Sequence, residues 1–478
     1  MALTGEVFVA LLPELIATGF LILTLLVGVF GERNVGLVAG LAALGSLAVF
    51  GSAAGLLAVG FSGSFFGGGF VVDGFALYFK LIVAASAFFA VLAAARWSGY
   101  TGDAPEYLTL ILSVVLGSIL LVSMRDLFGV FLAIELATIP SYAMVAFDRT
   151  RRESAEGGMK YLITGVIASS VLLYGIVLVY GVSGSAALSD VAETFAGQLS
   201  PVALVGLVLL VSGFAFKVSA APFHFWTPDA YQGAPTSAAA FLSVAPKAAT
   251  FAVLLRIFLE GMPEAAPTWT AVMAFLAVLT MFVGNLFALR QLNVRRMLAY
   301  SSVAHSGYIL AAFAALQGQA VPTAIEAVLV YSAAYVVMNM GAFLVIDLVG
   351  EDAKSFNGLI RTSPGVALSM LVFMASLVGI PPLSGFFGKL WIIIAGAQSG
   401  SVAVYVVVGA LVINSVLSVP YYFGIIRNML FEEPTTPALG KGGTGALRFS
   451  VYTLAVATTL FGLLIIPLSA LVRGSGLL

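Results

Sequence analysis

The sequence predicts an all-α polytopic membrane protein of about fourteen transmembrane helices, and three observations carry that reading. Hydrophobic residues make up 61% of the 478 positions and charged residues only 9%, and the mean hydropathy is +1.10, far from the composition of water-soluble domains. Apolar runs of roughly 20 residues, the length a helix needs to cross the hydrocarbon, follow one another along the chain. Basic side chains alternate from one connection to the next, as they do when successive connections lie on opposite sides of a bilayer.

The spans fall near 7–30, 35–59, 72–95, 104–123, 127–147, 157–180, 202–226, 234–259, 268–290, 297–316, 322–349, 364–396, 401–427 and 449–472. The opening stretch MALTGEVFVALLPELIATG has no Lys or Arg ahead of its apolar run and carries Glu6 and Glu14, so it reads as a first spanning helix and not as a cleaved signal peptide. Odd-numbered connections hold Arg33, Arg96, Arg149, Arg151, Arg152, Lys160, Arg290, Arg295, Arg296, Lys354, Arg361, Arg427, Lys441 and Arg448; the even ones and the tail hold Arg125, Arg256 and Arg473. Fourteen against three places the odd connections inside and both termini on the outer face.

Two spans are interrupted. The seventh runs through FKVSAAPFHFWTPDA, where Pro222 frees the carbonyl of Val218 and Pro228 follows. The twelfth contains GIPPLSGFFGK, with Gly379, Pro381, Pro382, Gly385 and Gly388 all opposing continuous helix. Non-helical backbone at membrane depth requires surrounding protein or a wet cavity, so both breaks predict polar interior space. Paired broken helices point to inverted repeats. The expected organisation is an N-terminal three-helix segment over 1–103, a first repeat (spans four to eight) over 104–259, a second, inverted repeat (spans nine to thirteen) over 268–430, and an inner loop with the last helix over 431–478.

Four of the 21 basic side chains, Lys80, Lys217, Lys247 and Lys389, fall inside apolar spans. An ammonium at the bilayer centre costs roughly 2.5–3.5 kcal/mol even on lenient scales, so such residues face a polar interior and serve ion or proton paths. Lys217 and Lys389 each lie beside a break, and Lys247 follows Pro246 at a kink that frees the carbonyl of Leu242. Glu135, mid-span and five residues before Pro140, would protonate unless a cation lies close. Pairing with Lys217 for proton work stands against the plainer reading of a neutral acid bonded to backbone. Lys80 lies seven residues after Asp73, about 12 Å into the membrane; snorkelling or packing competes there with a place on the path. Glu14 and Asp347, near span ends, read as interfacial. His224, two residues past Pro222, and His305, in AYSSVAHSGY, read as proton relays or structural hydrogen-bonding groups.

Several function classes are excluded. A net charge of −1 offers nothing to nucleic acid, and the absence of cysteine rules out disulfides, thiolate zinc sites and cysteine-ligated iron–sulfur clusters in this chain. No metal or cofactor site is expected here, so any redox chemistry belongs to partners. The glycines of GKGGTG, 440–445, lack the spacing and setting of a phosphate loop and read as a flexible inner loop.

The residues LLPEL, VVDGFALYFK, IELATIPSYAMVAF, ESAEGGMKYLITGVIASSVLLYG, GFAFKVSAAPFHFWTPDAYQGAP, SVAPKAATF, LNVRRMLAYSSVAHSGY and GIPPLSGFFGKLW resemble the antiporter-like membrane subunits of complex I, the proton-translocating NADH:quinone oxidoreductase, over nearly the whole chain. The subunit N group fits best: the chain ends soon after its fourteenth span, where subunit L continues into a lateral helix, and it has Lys389 where M-like members have glutamate. The resemblance implies a charged pair of Glu135 and Lys217 driven by distant redox chemistry, conduction through Lys247 with His305, and Lys389 as the last site before exit. His224 and Lys80 are secondary candidates. It also implies NAD, quinone, FMN and iron–sulfur clusters in the assembled complex, membrane and peripheral partner subunits, and a prokaryotic cytoplasmic membrane. Rival expectations are a D-type subunit of a multisubunit sodium/proton antiporter, a membrane module of a hydrogenase or ferredoxin-linked complex, and a non-transporting scaffold. LLPEL and ESAEGGMKYL favour complex I.

Overall fold

A computed structural model describes residues 5–30, 34–101, 103–435 and 445–464. The chain runs as α1 (Gly5–Ala10), α2 (Leu12–Phe30), α3 (Val35–Ala58), a small hairpin of β1 (Gly63–Phe65) and β2 (Phe70–Val72), then α4 (Gly74–Thr101), α5 (Ala104–Leu121), α6 (Leu127–Val145), α7 (Arg152–Ser183) and α8 (Leu188–Phe195). It continues as α9 (Pro201–Lys217), α10 (Trp226–Gly233), α11 (Thr236–Leu242), α12 (Ala245–Arg256), α13 (Ala266–Ala288), α14 (Val294–Ala314) and α15 (Val321–Val349). The short α16 (Leu359–Thr362) leads to α17 (Pro364–Val378), α18 (Ser384–Gln398), α19 (Val402–Phe431) and α20 (Gly445–Leu463). Eleven of the described segments are long and apolar enough to cross a membrane.

Local chemistry sets the helix starts. Asn34, Asp126, Ser200 and Asn293 each cap a helix by accepting an amide from its first turn, and Pro201 and Pro364 occupy first-turn positions where no amide partner is missed.

Burial separates an inner group of helices from an outer one. The membrane windows of α11–α12 and of α15 are 94% buried within this single chain, against 28% for those of α2 and α3. Outer helices present Leu, Val and Ile, as with Ile163 and Ile167 on α7 and Val406 and Val416 on α19, the side chains that lipid solvates. The 94% buried helices α12 and α15 carry Lys247 and Glu326, whereas Glu14 stands on the outer helix α2 with its side chain turned inward.

Both expected breaks are present, and a third accompanies them. Between α9 and α10 the backbone turns through Val218–Phe225, and between α17 and α18 through Gly379–Leu383. Gly379 sits at φ 96°, a conformation that side chains oppose, and ends α17. The eighth span, expected as one kinked helix, is two: α11 stops at Leu242 and α12 begins at Ala245, with Val244 at φ −124°, ψ −62°.

Arg33, Lys441, Arg473, the Arg96 side chain, most of the GKGGTG loop and the end of the last span lie outside the described residues.

Candidate functional site

The α9–α10 break is held open by groups that take up its backbone. The Trp226 indole donates to the Phe216 carbonyl at 3.3 Å, and the Ala221 amide donates to Thr280 on α13 at 3.0 Å. Trp226 stacks on Tyr161 of α7, ring centroids 4.1 Å apart. This fixes the end of α9, where Lys217 is the last helical residue. Its ammonium reaches α6 and lies 3.1 Å from Glu135 Oε1. Lys217 also donates to Ser169 at 3.0 Å and Thr138 at 3.3 Å, while the Ser169 hydroxyl donates to the same Glu135 oxygen at 2.6 Å. The cation thus has three oxygen acceptors, the arrangement that makes a buried ion pair tolerable.

A cavity of about 30 Å³ opens beside Lys217, lined by Ser118, Thr138, Ser141 and Tyr161 on one side and by Pro246 and Thr250 of α12 on the other. It is polar and roomy enough for water, and it lies between Lys217 and the first two turns of α12.

The α11–α12 break is sealed in a similar way. The freed Leu242 carbonyl accepts from the Tyr231 hydroxyl at 3.1 Å, and Asn339 donates to Ser243 at 2.8 Å. Lys247 donates to Ser302 of α14 at 2.7 Å and has the Tyr231 ring 5.7 Å away. No carboxylate pairs with it among the described residues. A second, smaller cavity touches Lys247, Ser306, Ser332 and Tyr335.

His305, one turn beyond Ser302 on α14, bridges two helices: Nδ1 lies 2.7 Å from the Tyr331 hydroxyl and Nε2 3.2 Å from that of Tyr422. The Tyr422 hydroxyl in turn bonds Ser301. An imidazole between two phenols can accept on one nitrogen and donate from the other, so a proton can pass through it by tautomer exchange.

At the α17–α18 break Lys389 turns back to the gap, donating to the carbonyls of Leu377 at 3.2 Å and Val378 at 2.8 Å. These are last-turn carbonyls of α17, which have no helical partner and carry the negative end of its dipole. The Tyr308 ring lies 4.6 Å from the ammonium. Lys217, Lys247 and Lys389 therefore stand at three polar breaks, with Glu135 on α6 paired to the first and His305 on α14 one turn from the Ser302 that binds the second.

His224 does not join them. It is buried, its ring 4.6 Å from Phe225, and its Nδ1 has no hydrogen-bond partner among the described residues.

Packing alters two expectations. Lys80 does not snorkel: it is fully buried, with its ammonium 2.6 Å from Glu14 on α2. Glu14, in the first turn of α2, is itself 5% exposed. Arg256, assigned to an outer connection, is fully buried; it holds Asp73 at 3.0 Å and Glu260 at 2.8 Å, and Arg125 also binds Glu260. The Lys80–Glu14 and Arg256–Asp73 pairs join segments far apart in the chain, so span length alone could not reveal them. The tyrosines around His305 were missed for the same reason: a buried Tyr in an apolar span looks like packing until its hydroxyl finds a partner.

A family model described as NADH:quinone oxidoreductase/Mrp antiporter, transmembrane, matches residues 124–418. NADH-quinone oxidoreductase subunit N of Rubrobacter xylanophilus is 74% identical, with all of both chains covered. A chain of respiratory complex I from Thermus thermophilus superposes with a TM-score of 0.83 at 32% identity, covering 97% of this chain and 100% of that one. A chain of an archaeal respiratory membrane complex, the membrane-bound sulfane sulfur reductase, gives 0.86 at 26% identity, covering 98% and 97%. Identity over the full length sets the complex I reading above the antiporter and hydrogenase-type alternatives. Three polar breaks carrying lysines, set in a bundle of this family's shape, place the chain in the subunit N family of NADH-quinone oxidoreductase, the antiporter-like proton-translocating membrane subunits of complex I.

Proposed function

We propose that protons cross this subunit through Glu135, Lys217, Lys247, His305 and Lys389, in that spatial order, driven by redox chemistry in partner subunits. The observation that supports it most directly is the Lys217–Glu135 contact at 3.1 Å between α9 and α6. Separating the pair leaves Lys217 a cation in low dielectric without its carboxylate, which favours release of its proton toward the next group on the path. Lys80, paired with Glu14, and His224, buried apart from these groups, are secondary candidates outside that central line.

We read the chain as fourteen spans in two inverted repeats, 104–259 and 268–430; in support, α5 lies on α6 as α13 lies on α14, and α7 contacts α9 and α10 on both sides of a break as α15 contacts α17 and α18. The basic connections put both termini on the outer face of a prokaryotic cytoplasmic membrane. NAD, FMN, iron–sulfur clusters and quinone belong to the neighbouring subunits. The Glu135 side chain is 19% exposed on a face where Leu132 and Ile139 are 68% and 60% exposed. A carboxylate cannot face lipid cheaply, so this face meets another subunit.

The test is Lys217→Ala in the assembled complex, with quinone reduction and proton pumping measured together in proteoliposomes. Both fall, with assembly preserved; normal pumping rejects the path.

A further inference from the structure

One aromatic ring touches both of the last two groups on the path, and neither the resemblance nor the sequence reading gave it or its anchor a part. Tyr308 of α14 is buried, with the Lys389 ammonium over its face at 4.6 Å. The His305 ring meets it at right angles, centroids 5.3 Å apart. An ammonium has three N–H groups. Lys389 donates to the carbonyls of Leu377 and Val378, and the Tyr308 face is what the described residues offer beyond these two.

The Tyr308 hydroxyl is held by a neighbouring helix. Asn285 of α13, fully buried, donates to it at 3.2 Å, to Asn414 Oδ1 of α19 at 3.0 Å and to the Met281 carbonyl at 2.9 Å. Its own oxygen accepts from the Tyr421 hydroxyl at 2.9 Å. The two helices also meet at backbone distance. A Cβ on Gly284 would lie 2.4 Å from the Ala304 amide nitrogen, and one on Gly307 would lie 2.7 Å from that of Met281. Asn285 and Tyr308 each follow one of these glycines, so both side chains start from closely packed backbone.

Holding the helices together does not call for the bond to Tyr308. The glycine contacts already join α13 to α14, and Asn285 with Asn414 and Tyr421 already joins α13 to α19. What the bond adds is the angle of the ring. A phenol tethered at its hydroxyl keeps its face on the ammonium, whereas a ring free to turn presents its positive edge, which repels a cation.

We propose that Asn285 is a positioning residue of the proton path: by anchoring the Tyr308 hydroxyl it keeps the face of that ring on Lys389 and so sets how readily the ammonium releases its proton. The inference rests on the path proposed above. The other titratable groups around α18 are His305 on α14, Tyr331 on α15 against Gly388, Glu326 on α15 at Trp391, and Tyr421 and Tyr422 on α19. α17 carries none, and α20 meets the start of α18 at Gly462, ten residues from its Tyr452. None of these groups is altered by the variants below.

The test follows the pH profile of proton pumping coupled to quinone reduction, in the assembled complex in proteoliposomes. An ammonium that has lost its π partner gives up its proton more readily, so Tyr308→Leu moves the profile toward acid by about half a pH unit or more. Asn285→Ala, which keeps the ring but frees it, moves the profile the same way by a smaller amount. The double variant shifts no further than Tyr308→Leu alone. A parental profile in either single variant overturns the assignment, and so does a loss of rate that is uniform across pH, which marks a packing role. A double variant that shifts further shows Asn285 acting other than through Tyr308 and overturns it as well. Should Asn285→Ala fail to assemble, Tyr308→Phe decides, since it removes the hydroxyl alone: a shift toward acid supports the anchor and a parental profile overturns it. Lys389→Ala run in parallel separates the two levels. Normal pumping there rejects the path itself; a loss there with parental profiles in the Tyr308 and Asn285 variants rejects the positioning alone.

Discussion

The Lys217 ammonium and the Glu135 carboxylate meet at 3.1 Å across the α9–α6 interface, and the Ser169 hydroxyl from α7 bonds to both. Three helices thus converge on one charge pair, and a small displacement of any of them changes the Coulomb energy felt by the next lysine. Removing one member of a buried pair costs roughly 3–5 kcal/mol because it strands the other; partial exposure of Glu135 places this site at or below the low end. Glu135→Gln is expected to lower coupled quinone reduction about as far as Lys217→Ala does. Because the residues act on each other, the double variant should lose much less than the two single losses combined. Strict additivity in pumping rates would show that each works independently.

Lys389 has no acidic partner among the described residues and relies on the open end of α17. Lys389→Met would leave the carbonyls of Leu377 and Val378 buried with one donor gone, at about 1–3 kcal/mol for each stranded acceptor. The variant is expected to lose both thermal stability in detergent and pumping. Lys389→Arg restores a donor but not a readily released proton, since guanidinium does not deprotonate in proteins. Stability should therefore return in the arginine variant while pumping stays low, and recovery of both would refute a proton-releasing role.

The parts of this site legible in the sequence were those that violate a local rule. Pro222, Pro381 and Pro382 cannot lie within a regular helix, and Lys217, Lys247 and Lys389 cannot lie in lipid, so each announced polar space without reference to any distant residue. The split of the eighth span was half visible. Pro246 marked the orphaned Leu242 carbonyl, but the donor is Tyr231, eleven residues away in an element the periodicity did not resolve. Glu14, near a span end, and Lys80, inside a span, looked unrelated at 66 positions apart because only packing of α2, α3 and α4 brings them together. Glu326 passed unnoticed five residues into its span, where a carboxylate reads as interfacial. A second helix was needed to show it buried.

The Lys80–Glu14 pair makes a different prediction from the central path. Both groups are buried, and neither the ammonium nor the two carboxylate oxygens forms a well-directed hydrogen bond among the described residues, although the charges lie 2.6 Å apart. Lys80→Met alone should destabilise the protein by about 3 kcal/mol or more by leaving Glu14 uncompensated. Adding Glu14→Gln should recover most of that, since a neutral pair of similar volume avoids both desolvation costs. Thermal unfolding of the two variants in detergent checks this. A double variant no more stable than Lys80→Met would mean that the charges are not each other's main compensation.

Asp229 on α10 ties α7 and α14 together at one end of the same bundle and gives a pH signature. It accepts from Lys160 of α7 at 2.7 Å and from Arg296 of α14, and Arg296 also reaches Gln232 at 2.9 Å. Burial raises its carboxyl, but the hydrogen bonds and charges of Lys160 and Arg296 outweigh it and hold the group below the usual aspartate range. A carboxyl whose folded value lies below its unfolded value contributes stability that is fully present above the unfolded value, about 3.9, and is lost as pH falls through the folded one. Asp229→Asn should therefore be less stable than the parent at neutral pH, and the gap should close as the pH falls below about 4. Melting temperatures of both proteins in detergent from neutral to acid pH provide the check. A gap that stays constant over that range would mean that Asp229 holds α7, α10 and α14 together by shape and not by charge.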